Sequence, residues 1–210
     1  MGVRHERLLA LLAARGGASV ADLAAQLGVS AVSVRADLRA LADARRLVRT
    51  PGGAALPSDP AELVRPGDVV FLDDLPAVAA SLRGGITVAT ASLAAAEALR
   101  RAPGVTLVLS GGTYDQASGL LLDPLSGPAF GGLRADLAIL GCHGFVPGGA
   151  VTGAHPGAAA LWRRMAGAAR CRALVVAPEA AGREGPVPLC PAREIDVVVR
   201  TQVSWVRPKG

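Results

Sequence analysis

The stretch of sequence that decides the fold is residues 27–41, LGVSAVSVRADLRAL. Its glycine predicts a turn, and Ser30 is a natural N-cap for a helix that begins at the next residue. Apolar residues then recur at helical spacing, so one face of that helix is expected to be buried. They are Val34, Leu38 and Leu41. The opposite, free face carries Arg35 and Arg39. This arrangement is typical of a DNA-recognition helix, which makes DNA the first partner to consider.

Two helices are predicted ahead of this stretch, and a strand with a turn after it. Leucines at helical spacing indicate a first helix over residues 4–14. Ser19 is expected to cap a second helix, with Asp22 as the acid of a capping box. Residues 47–50 predict a short strand, and the Pro-Gly-Gly-Ala of residues 51–54 predicts a turn. Three helices followed by such a strand and turn outline a winged helix-turn-helix.

The predicted unit carries the residue types that binding a polyanion requires. Arg35 lies in the N-terminal half of the recognition helix, where an arginine can make a bidentate contact with guanine. The later arginines are expected to neutralise phosphates. The expected DNA-binding set is Ser30, Ser33, Arg35, Arg39, Arg45, Arg46 and Arg49. Residues 1–57 hold eight arginines against four acidic residues, and so contribute +4 of the net charge of +5. A helical domain with solvated arginines would show the same pattern, so both interpretations stay open at this point.

Length and composition fit two domains. Residues 1–57 are expected to form the winged helix-turn-helix, residues 58–66 a short linker stiffened by proline, and residues 67–210 a larger domain. No run approaches the ~18 uninterrupted apolar residues of a membrane helix. Three cysteines without a C-x-x-C spacing agree with a reducing compartment, so the cytoplasm is the expected location.

The second domain alternates β-branched runs with alanine-rich stretches, which predicts a mostly parallel sheet covered by helices on both faces. The predicted strands are residues 69–72, 86–89, 105–109, 137–140, 173–176 and 195–199. The predicted helices are residues 76–82, 92–101 and 158–169.

Ligands of such sheets bind where loops leave the carboxyl ends of the strands. The candidate effector-binding residues at these ends are Asp73, Thr90, Ser92, Gly111, Gly112, Gly141 and His143. A glycine at a strand end lets backbone amides approach an anion, but tight turns use glycine as well, and spacing alone favours the turn. Cys142, His143 and His155 are too few to indicate a metal site. We expect neither a metal nor a cofactor.

The chain resembles the DeoR-type family of bacterial transcriptional repressors. The resemblance rests on Ser-Val-Arg-Ala-Asp-Leu at residues 33–38, on Arg49 ahead of Gly-Gly-Ala at residues 52–54, and on segments such as Asp-Leu-Ala-Ile-Leu-Gly at residues 136–141. It implies an N-terminal winged helix-turn-helix and an α/β effector domain similar in fold to sugar-phosphate isomerases and CoA transferases. In the family, that Rossmann-like domain senses a phosphorylated sugar. Ala36 departs from the pattern, since the family usually has a second arginine there.

The expected phosphate-binding residues are missing. Where the family has Asp-x-Gly-Ser/Thr-Thr, this chain has Asp73 followed by Asp-Leu-Pro-Ala, which offers neither a glycine nor a hydroxyl. Residues 178–181 are Pro-Glu-Ala-Ala in place of Asp-x-Ser-Lys, and Trp162 replaces a lysine. The chain's one lysine is Lys209, so a carboxylate base would have no lysine partner. These losses argue against an isomerase-like enzyme.

Two functions therefore remain in view. The first is a repressor whose effector pocket accepts a small molecule other than an ordinary sugar phosphate. The alternative is an effector-independent DNA-binding protein whose degenerate C-terminal domain only oligomerises. A homo-oligomer, most simply a dimer, is expected in both cases, because a single winged head makes too few contacts for tight specific binding.

Overall fold

The computed structural model describes residues 2–122, 130 and 132–201. The chain divides into two compact units, Met1–Ser58 and Asp59–Gly210. None of the described helices is long and apolar enough to cross a membrane.

The first unit contains three helices and a small antiparallel sheet. The helices are α1 (Val3–Arg15), α2 (Val20–Leu27) and α3 (Ala31–Asp43). The strands are β1 (Gly17–Ser19), β2 (Val48–Thr50) and β3 (Gly53–Ala55), in the order β1-β3-β2. The predicted helices and wing are confirmed. Strand β1 was not predicted, because three residues carry no readable alternation and the strand forms only by pairing with β3.

The caps and the core of this unit follow the sequence pattern closely. The hydroxyls of Ser19 and Ser30 accept hydrogen bonds from the amides of Asp22 and Ser33, both at 3.1 Å. The Ser19 hydroxyl also donates to the Asp22 carboxylate at 2.6 Å, in place of the reciprocal backbone contact of a capping box. The core is formed by Leu8, Leu12, Leu23, Val34, Leu38, Leu41, Leu47 and Ala54.

Gly53 permits the close approach of β1 and β3. A Cβ atom at this position would lie 2.2 Å from the carbonyl oxygen of Ala18, which is much closer than real Cβ atoms approach an oxygen. Gly53 is therefore required by strand packing, whereas Gly52, with φ of 75°, is the glycine that the turn favours.

An ion pair between an exposed arginine and a buried carboxylate ties α1 to α3. Asp37 is 5% exposed, on the same helix as the recognition arginines. Its carboxylate accepts hydrogen bonds from Nε and Nη2 of Arg4 at 2.6 and 2.7 Å, and Oδ1 lies 3.1 Å from Nε2 of His5. The hydrogen bonds from Arg4 hold the pKa of Asp37 below its usual range, although burial acts in the opposite direction. The orientation of the recognition helix thus depends on a bidentate contact with the first turn of α1.

The second unit is built on a six-stranded parallel sheet. Its strands are β4 (Val69–Leu72), β5 (Ile86–Thr90), β6 (Val105–Leu109), β9 (Leu137–Gly141), β12 (Arg172–Val176) and β14 (Val197–Arg200). The order across the sheet is β14-β12-β9-β4-β5-β6, and every neighbouring pair is parallel. All six predicted strands are confirmed, with ends that shift by one or two residues.

Both faces of this sheet are covered, as its sequence predicts. The helices are α4 (Pro76–Ser81), α5 (Leu93–Leu99) and α6 (Pro156–Ala168), and Ser92 caps α5. Alternate residues of β4 enter different cores: Phe71 lies in one, whereas Val70 and Leu72 lie in the other. A sheet with two apolar faces needs such continuous apolar strands.

Several short elements of the second unit were not predicted. They are the hairpin of β7 (Thr113–Asp115) and β8 (Leu120–Leu122), and an antiparallel sheet of β10 (Gly144–Phe145), β11 (Ala150–Gly153) and β13 (Val187–Pro191). Three 3-10 helices cover Pro60–Leu63, Pro178–Ala180 and Ala192–Glu194. These segments are short and rich in glycine and proline, so they carry little periodic signal.

Residues 58–66 were expected to form a linker, but part of this segment is folded. Residues 60–63 form a 3-10 helix, and Leu63 is 3% exposed within the core of the second unit. The burial of this leucine makes the segment part of the folded unit, since a free linker would leave it in water.

The Asp37 contact generates a stability prediction. We expect Asp37→Asn to lower the stability of the first unit by about 1–3 kcal/mol at pH 7, because a buried group loses charge-assisted hydrogen bonds. The folded-state pKa is depressed, so this stabilisation exists above the unfolded-state pKa of about 3.9 and disappears as the pH falls below it. Hydrogen exchange of the α1 and α3 amides at pH 7 and at low pH measures the difference.

Glu6→Gln is the matched control, because Glu6 is an exposed carboxylate on α1, the helix that Asp37 contacts. Equal exchange in the two variants at pH 7 would contradict a stabilising role for Asp37.

Candidate nucleic-acid interface and sensor site

The exposed face of α3 carries the predicted recognition residues. Arg35 and Arg39 are exposed, whereas Val34 and Leu38 are buried in the core of the unit. Neither arginine forms an ion pair within the part of the chain that the structure describes. Both guanidinium groups are therefore available for a partner in solution.

Val32 is a surface residue that the sequence-based expectations missed. It is 73% exposed and lies one turn before Arg35 and Ala36 on the same face of α3. An exposed valine at the start of a recognition helix can contact the methyl group of thymine. The sequence indicates this exposure, because the helical period places residue 32 on the side of α3 opposite its buried residues.

The other predicted DNA-binding residues fall into two groups. Ser30 and Ser33 form the N-terminal cap of α3, and their hydroxyl oxygens lie 3.0 Å apart. Arg49, in β2 of the wing, is exposed, and Arg46 is half-buried. Arg45 does not fit the expectation of a phosphate contact. It is 9% exposed and has a left-handed φ of 59°, because it forms the turn that leaves α3.

The second unit, which we call the sensor unit because the family resemblance implies a ligand-sensing role for it, has its topological switch point between β4 and β9. Strand β4 pairs with β5 on one side and with β9 on the other, so the strand order reverses there. Ligands of open parallel sheets bind outside the carboxyl ends of the strands at such a point. Asp73 follows β4 directly, and Gly141 is the last residue of β9.

Asp73 and Gly141 are brought together at this point. The Gly141 amide donates a hydrogen bond to Oδ2 of Asp73 at 3.0 Å. Burial, the strongest effect, raises the pKa of Asp73 to about 6. Hydrogen bonds from the Asp74 and Gly141 amides oppose this shift, and the charge of Asp74 reinforces it. The Gly141 amide is therefore engaged by a carboxylate of the protein itself.

Thr90 and Ser92 lie beside the switch point but are fully buried, each with 0% exposure. The Ser92 hydroxyl donates to Oδ1 of Asp74 at 2.5 Å and accepts from the Ala95 amide at 3.0 Å. Oγ1 of Thr90 accepts from the Ser92 amide at 3.1 Å. Both hydroxyls serve the loop and the cap of α5, so both are engaged within the protein.

Gly111, Gly112 and His143 take no part in these hydrogen bonds. The two glycines follow β6 with φ of 69° and 105°, a region that favours glycine, so a turn accounts for them. The amide of His143 donates to the Thr152 carbonyl at 2.8 Å, and its side chain is half-buried. No contact between these residues and Asp73 is seen in the described part of the sensor unit.

Trp162, the residue in place of the family's lysine, contributes to the switch point. It is 4% exposed, and its indole Nε1 donates to the Gly141 carbonyl at 2.9 Å. Cys142 follows, and burial raises the pKa of its thiol to about 12, with the charge of Asp73 acting in the same direction. The position that would carry a cation for a phosphate is thus a neutral group engaged with the backbone.

The comparison with solved structures finds similarities at low identity. The chain is similar to eIF2B beta from Chaetomium thermophilum, with 16% identity, a TM-score of 0.44, and coverage of 85% of this chain and 54% of that chain. For the tetrameric eIF2B-beta2-delta2 complex from C. thermophilum, the identity is 15%, the TM-score 0.43 and the coverage 93% and 66%. For PigF with SAH, the values are 16%, 0.26, and 91% and 84%.

The chain spans about half the length of eIF2B beta. At these TM-scores the likenesses carry no argument about function. The comparison with curated proteins gives no match.

Family models match both units. The DeoR-like helix-turn-helix domain matches residues 4–59, and the DeoR C terminal sensor domain matches residues 56–202. These matches agree with the exposed recognition helix of the first unit and with the parallel sheet of the second. The protein therefore belongs to the DeoR family of DNA-binding transcriptional regulators, with a helix-turn-helix domain and a sensor domain in one chain.

Proposed function

We propose that this regulator is a sequence-specific repressor whose sensor unit responds to a small molecule other than an ordinary sugar phosphate. The observation that carries the proposal is the place of Trp162, which is 4% exposed and whose indole Nε1 donates to the Gly141 carbonyl at 2.9 Å. This neutral side chain stands where the family has a lysine, and it supplies no positive charge to a phosphate.

On the DNA side, the exposed face of α3 supports reading of base edges. Arg35 suits a bidentate contact with guanine, and Val32 suits an apolar contact with thymine. Arg39 and Arg49 are exposed and suit phosphate contacts, which supply affinity and register. Ala36 offers only a methyl group on this face, so fewer polar contacts are available than a second arginine would provide.

In the sensor unit, several features disfavour a phosphate together. Asp73 and Asp74 are adjacent acids that would repel an anion. Helix α4 begins with Pro76, which has no amide hydrogen, and its N-cap Leu75 offers no side-chain acceptor or donor. Trp162 supplies no positive charge. An uncharged ligand rich in hydroxyl groups suits these carboxylates better, because hydroxyls donate hydrogen bonds to them.

The burial of Thr90 and Ser92 favours a second candidate function. With both hydroxyls committed to the protein, the switch point offers few polar groups to any ligand. In that case the sensor unit would serve only for oligomerisation, and DNA binding would not depend on a small molecule.

An isomerase-like activity receives no support from the arginines that could replace the missing lysine. Arg83 donates to the Leu82 carbonyl at 2.6 Å, and Arg183 donates to the Glu179 carbonyl at 3.3 Å. Neither is paired with Asp73, so we propose a regulator without catalytic activity. We also propose a homodimer, because two winged heads double the contacts available to a repeated or palindromic site.

Arg35→Ala tests the DNA-binding role. We expect it to weaken binding to the operator by about 1–3 kcal/mol, because a bidentate base contact is lost, while binding to a scrambled duplex changes little. Genome-wide mapping of bound sites supplies the operator, and mobility shift at fixed salt measures both affinities.

Arg7→Ala is the control, since it removes the same charge from an exposed position of α1. If Arg35→Ala lost the same affinity for the operator and for the scrambled duplex, Arg35 would contact a phosphate and would not read a base.

The sensor proposal is tested by thermal shift with a panel of sugars, polyols, nucleosides and sugar phosphates. We expect an uncharged member to stabilise the protein by about 2–3 kcal/mol at a concentration near 100 times its Kd. Sugar phosphates should give no shift. Stabilisation by a sugar phosphate would refute the proposed effector class, and a panel without any shift would favour the effector-independent alternative.

Glycine variants give this experiment its controls. A Cβ atom at Gly141 would lie 3.5 Å from Oδ2 of Asp73, an ordinary contact that narrows the switch point without disrupting it. Gly141→Ala should therefore abolish a ligand-dependent shift. Gly167→Ala, whose Cβ atom meets nothing within 4 Å, should keep it.

The raised pKa of Asp73 predicts a pH-dependent stability. Its folded-state value of about 6 lies above the unfolded-state value of about 3.9, so the folded protein binds the proton more tightly. The resulting stabilisation is complete below about pH 4 and is lost as the pH rises through about 6. Asp73→Asn should therefore raise stability by about 1–2 kcal/mol at pH 8 and change it little at pH 4.

Thermal unfolding followed by circular dichroism at the two pH values measures this effect. Asp115→Asn is the control of opposite sign, because hydrogen bonds from Ser118 hold the pKa of Asp115 below its usual range. A lower melting temperature of Asp73→Asn at pH 8 would show that the carboxylate is stabilising there.

A further inference from the structure

A cavity of about 200 Å³ lies between the second half of α6 and the residues that precede β9. Three buried side chains of the sensor unit form its floor: Phe71 of β4, Phe130, and Met165 of α6. The two phenylalanine rings stack, with their centroids 5.1 Å apart. Aromatic rings and a thioether make favourable contacts with a further ring, so this floor suits an aromatic group of a ligand.

The mouth of the cavity is exposed and basic. Arg134 and Arg164 both line the cavity, and both residues are exposed. No acidic side chain lines it among the residues that the structure describes. A negative charge is favoured at this mouth, and it is disfavoured on the apolar floor, where it would lose its hydration. A ligand that fits both parts of the cavity has an apolar end and an anionic end.

The backbone of Phe130 holds its ring in the floor. Its φ of 68° lies in the left-handed region, which a bulky residue rarely adopts. The carbonyl of the same residue accepts a hydrogen bond from the Leu133 amide at 2.8 Å, and Leu133 lines the cavity as well. A conformation of this kind persists only where the surrounding structure fixes it. The floor is therefore formed before a ligand arrives, which lowers the entropic cost of binding.

The cavity is separate from the switch point of the same sheet. Gly141 is the last residue of β9, whereas the lining residues 132–134 precede the first residue of that strand. Asp73, Gly141 and Trp162 are absent from the described lining. A ligand in this cavity therefore leaves the switch point open to a ligand of its own.

The volume of the cavity limits the ligand to one ring. A cavity of about 150 Å³ is enough to hold benzene, so a somewhat larger one holds a six-membered ring with a short substituent. A long acyl chain exceeds this volume. An inorganic anion would fit, but it would leave the apolar floor without a partner.

We propose that this cavity binds a small aromatic carboxylate, with its ring on Phe71 and Phe130 and its carboxylate at Arg134 and Arg164. Guanidinium groups bind carboxylates through paired N–H donors, and the ring gains an offset contact with the stacked phenylalanines. The site differs from the proposed effector site in position and in ligand, since the switch point is proposed to take an uncharged molecule.

Methyl NMR of the full chain labelled at its methionines, with benzoate as the probe, tests the site. The chain has two methionines, Met1 and Met165, so the spectrum is simple, and Met165→Leu identifies the signal of Met165. Benzoate should shift this signal, because its ring lies against the Met165 side chain. Benzamide has the same ring without the charge, and we expect it to bind at least about 10-fold more weakly. Acetate, which has no ring, should give no shift.

The two arginines of the mouth are tested by neutral variants. Arg134→Gln and Arg164→Gln should each weaken benzoate binding by about 10-fold, because each removes a charge-assisted contact. Neither variant should change the binding of benzamide. Arg200→Gln is the matched control, since it removes an exposed arginine of β14 that is not part of the lining, and it should bind benzoate like the wild type.

Ala168→Leu tests the cavity itself. Ala168 lines the cavity, so a larger side chain at this position should fill it and abolish the response to benzoate and benzamide alike. Ala160→Leu is the control, because Ala160 is exposed on the same helix and outside the lining. Circular dichroism reports whether each variant keeps the fold.

Two results would overturn the proposal. The first is a wild-type Met165 signal that does not move up to about 10 mM benzoate, a concentration well above the Kd expected for a ligand of this size in a matching cavity. It would indicate that another part of the protein fills the cavity. The second is equal binding of benzoate and benzamide, which would exclude a role for the two arginines in binding a carboxylate.

The proposed function is tested separately from this site. Gly141→Ala changes the switch point and not the lining of the cavity, so it should keep the benzoate response while it loses the response to an uncharged effector. Failure of one ligand to bind therefore leaves the other proposal in place.

Discussion

The parallel pairing of β4 with β9 is the constraint on which the sensor unit depends. It places β4 in the middle of the sheet, with β5 and β6 on one side and β12 and β14 beyond β9 on the other. The two strands are buried on both faces, so their apolar residues supply both cores. The same pairing brings the chain ends after β4 and β9 together, which sets Asp73 beside the Gly141 amide. What the switch point can bind follows from that contact.

Asp37 in the first unit and Asp73 in the second are carboxylates whose pKa values shift in opposite directions. Asp37 is paired with Arg4, so its pKa falls and its charge stabilises the first unit. Asp73 has backbone amides as partners and no cation, so burial dominates and its pKa rises. A carboxylate whose pKa is raised by burial at a switch point is typical of a functional site, whereas one paired with an arginine is typical of a structural role. The contrast supports a positioning role for Asp37 and a ligand-related role for the region of Asp73.

The sensor unit keeps the family's residues at positions that form the fold, and it departs from them at positions that would bind a phosphate. Trp162 illustrates this change, because it fills the position of a lysine and bonds the end of β9 through its indole nitrogen. Asp74 and Ser92 satisfy one another in the same way. The polar groups around the switch point are therefore used by the protein itself. An uncharged effector, or none, is consistent with that use.

The sequence by itself determined the elements with a strong period: the three helices of the first unit, the wing and all six parallel strands. It also determined the exposed face of α3, because helical phase separates Arg35 and Arg39 from the buried leucines. Tertiary structure alone decided the rest. The pairing of Arg4 with Asp37 joins residues 33 positions apart, and the burial of Arg45 comes from a left-handed turn. The contacts of Asp73 and Trp162 with Gly141 at the switch point depend on which strands are neighbours in the sheet. Periodicity records which face of an element is buried, but it holds no information about which distant groups meet there.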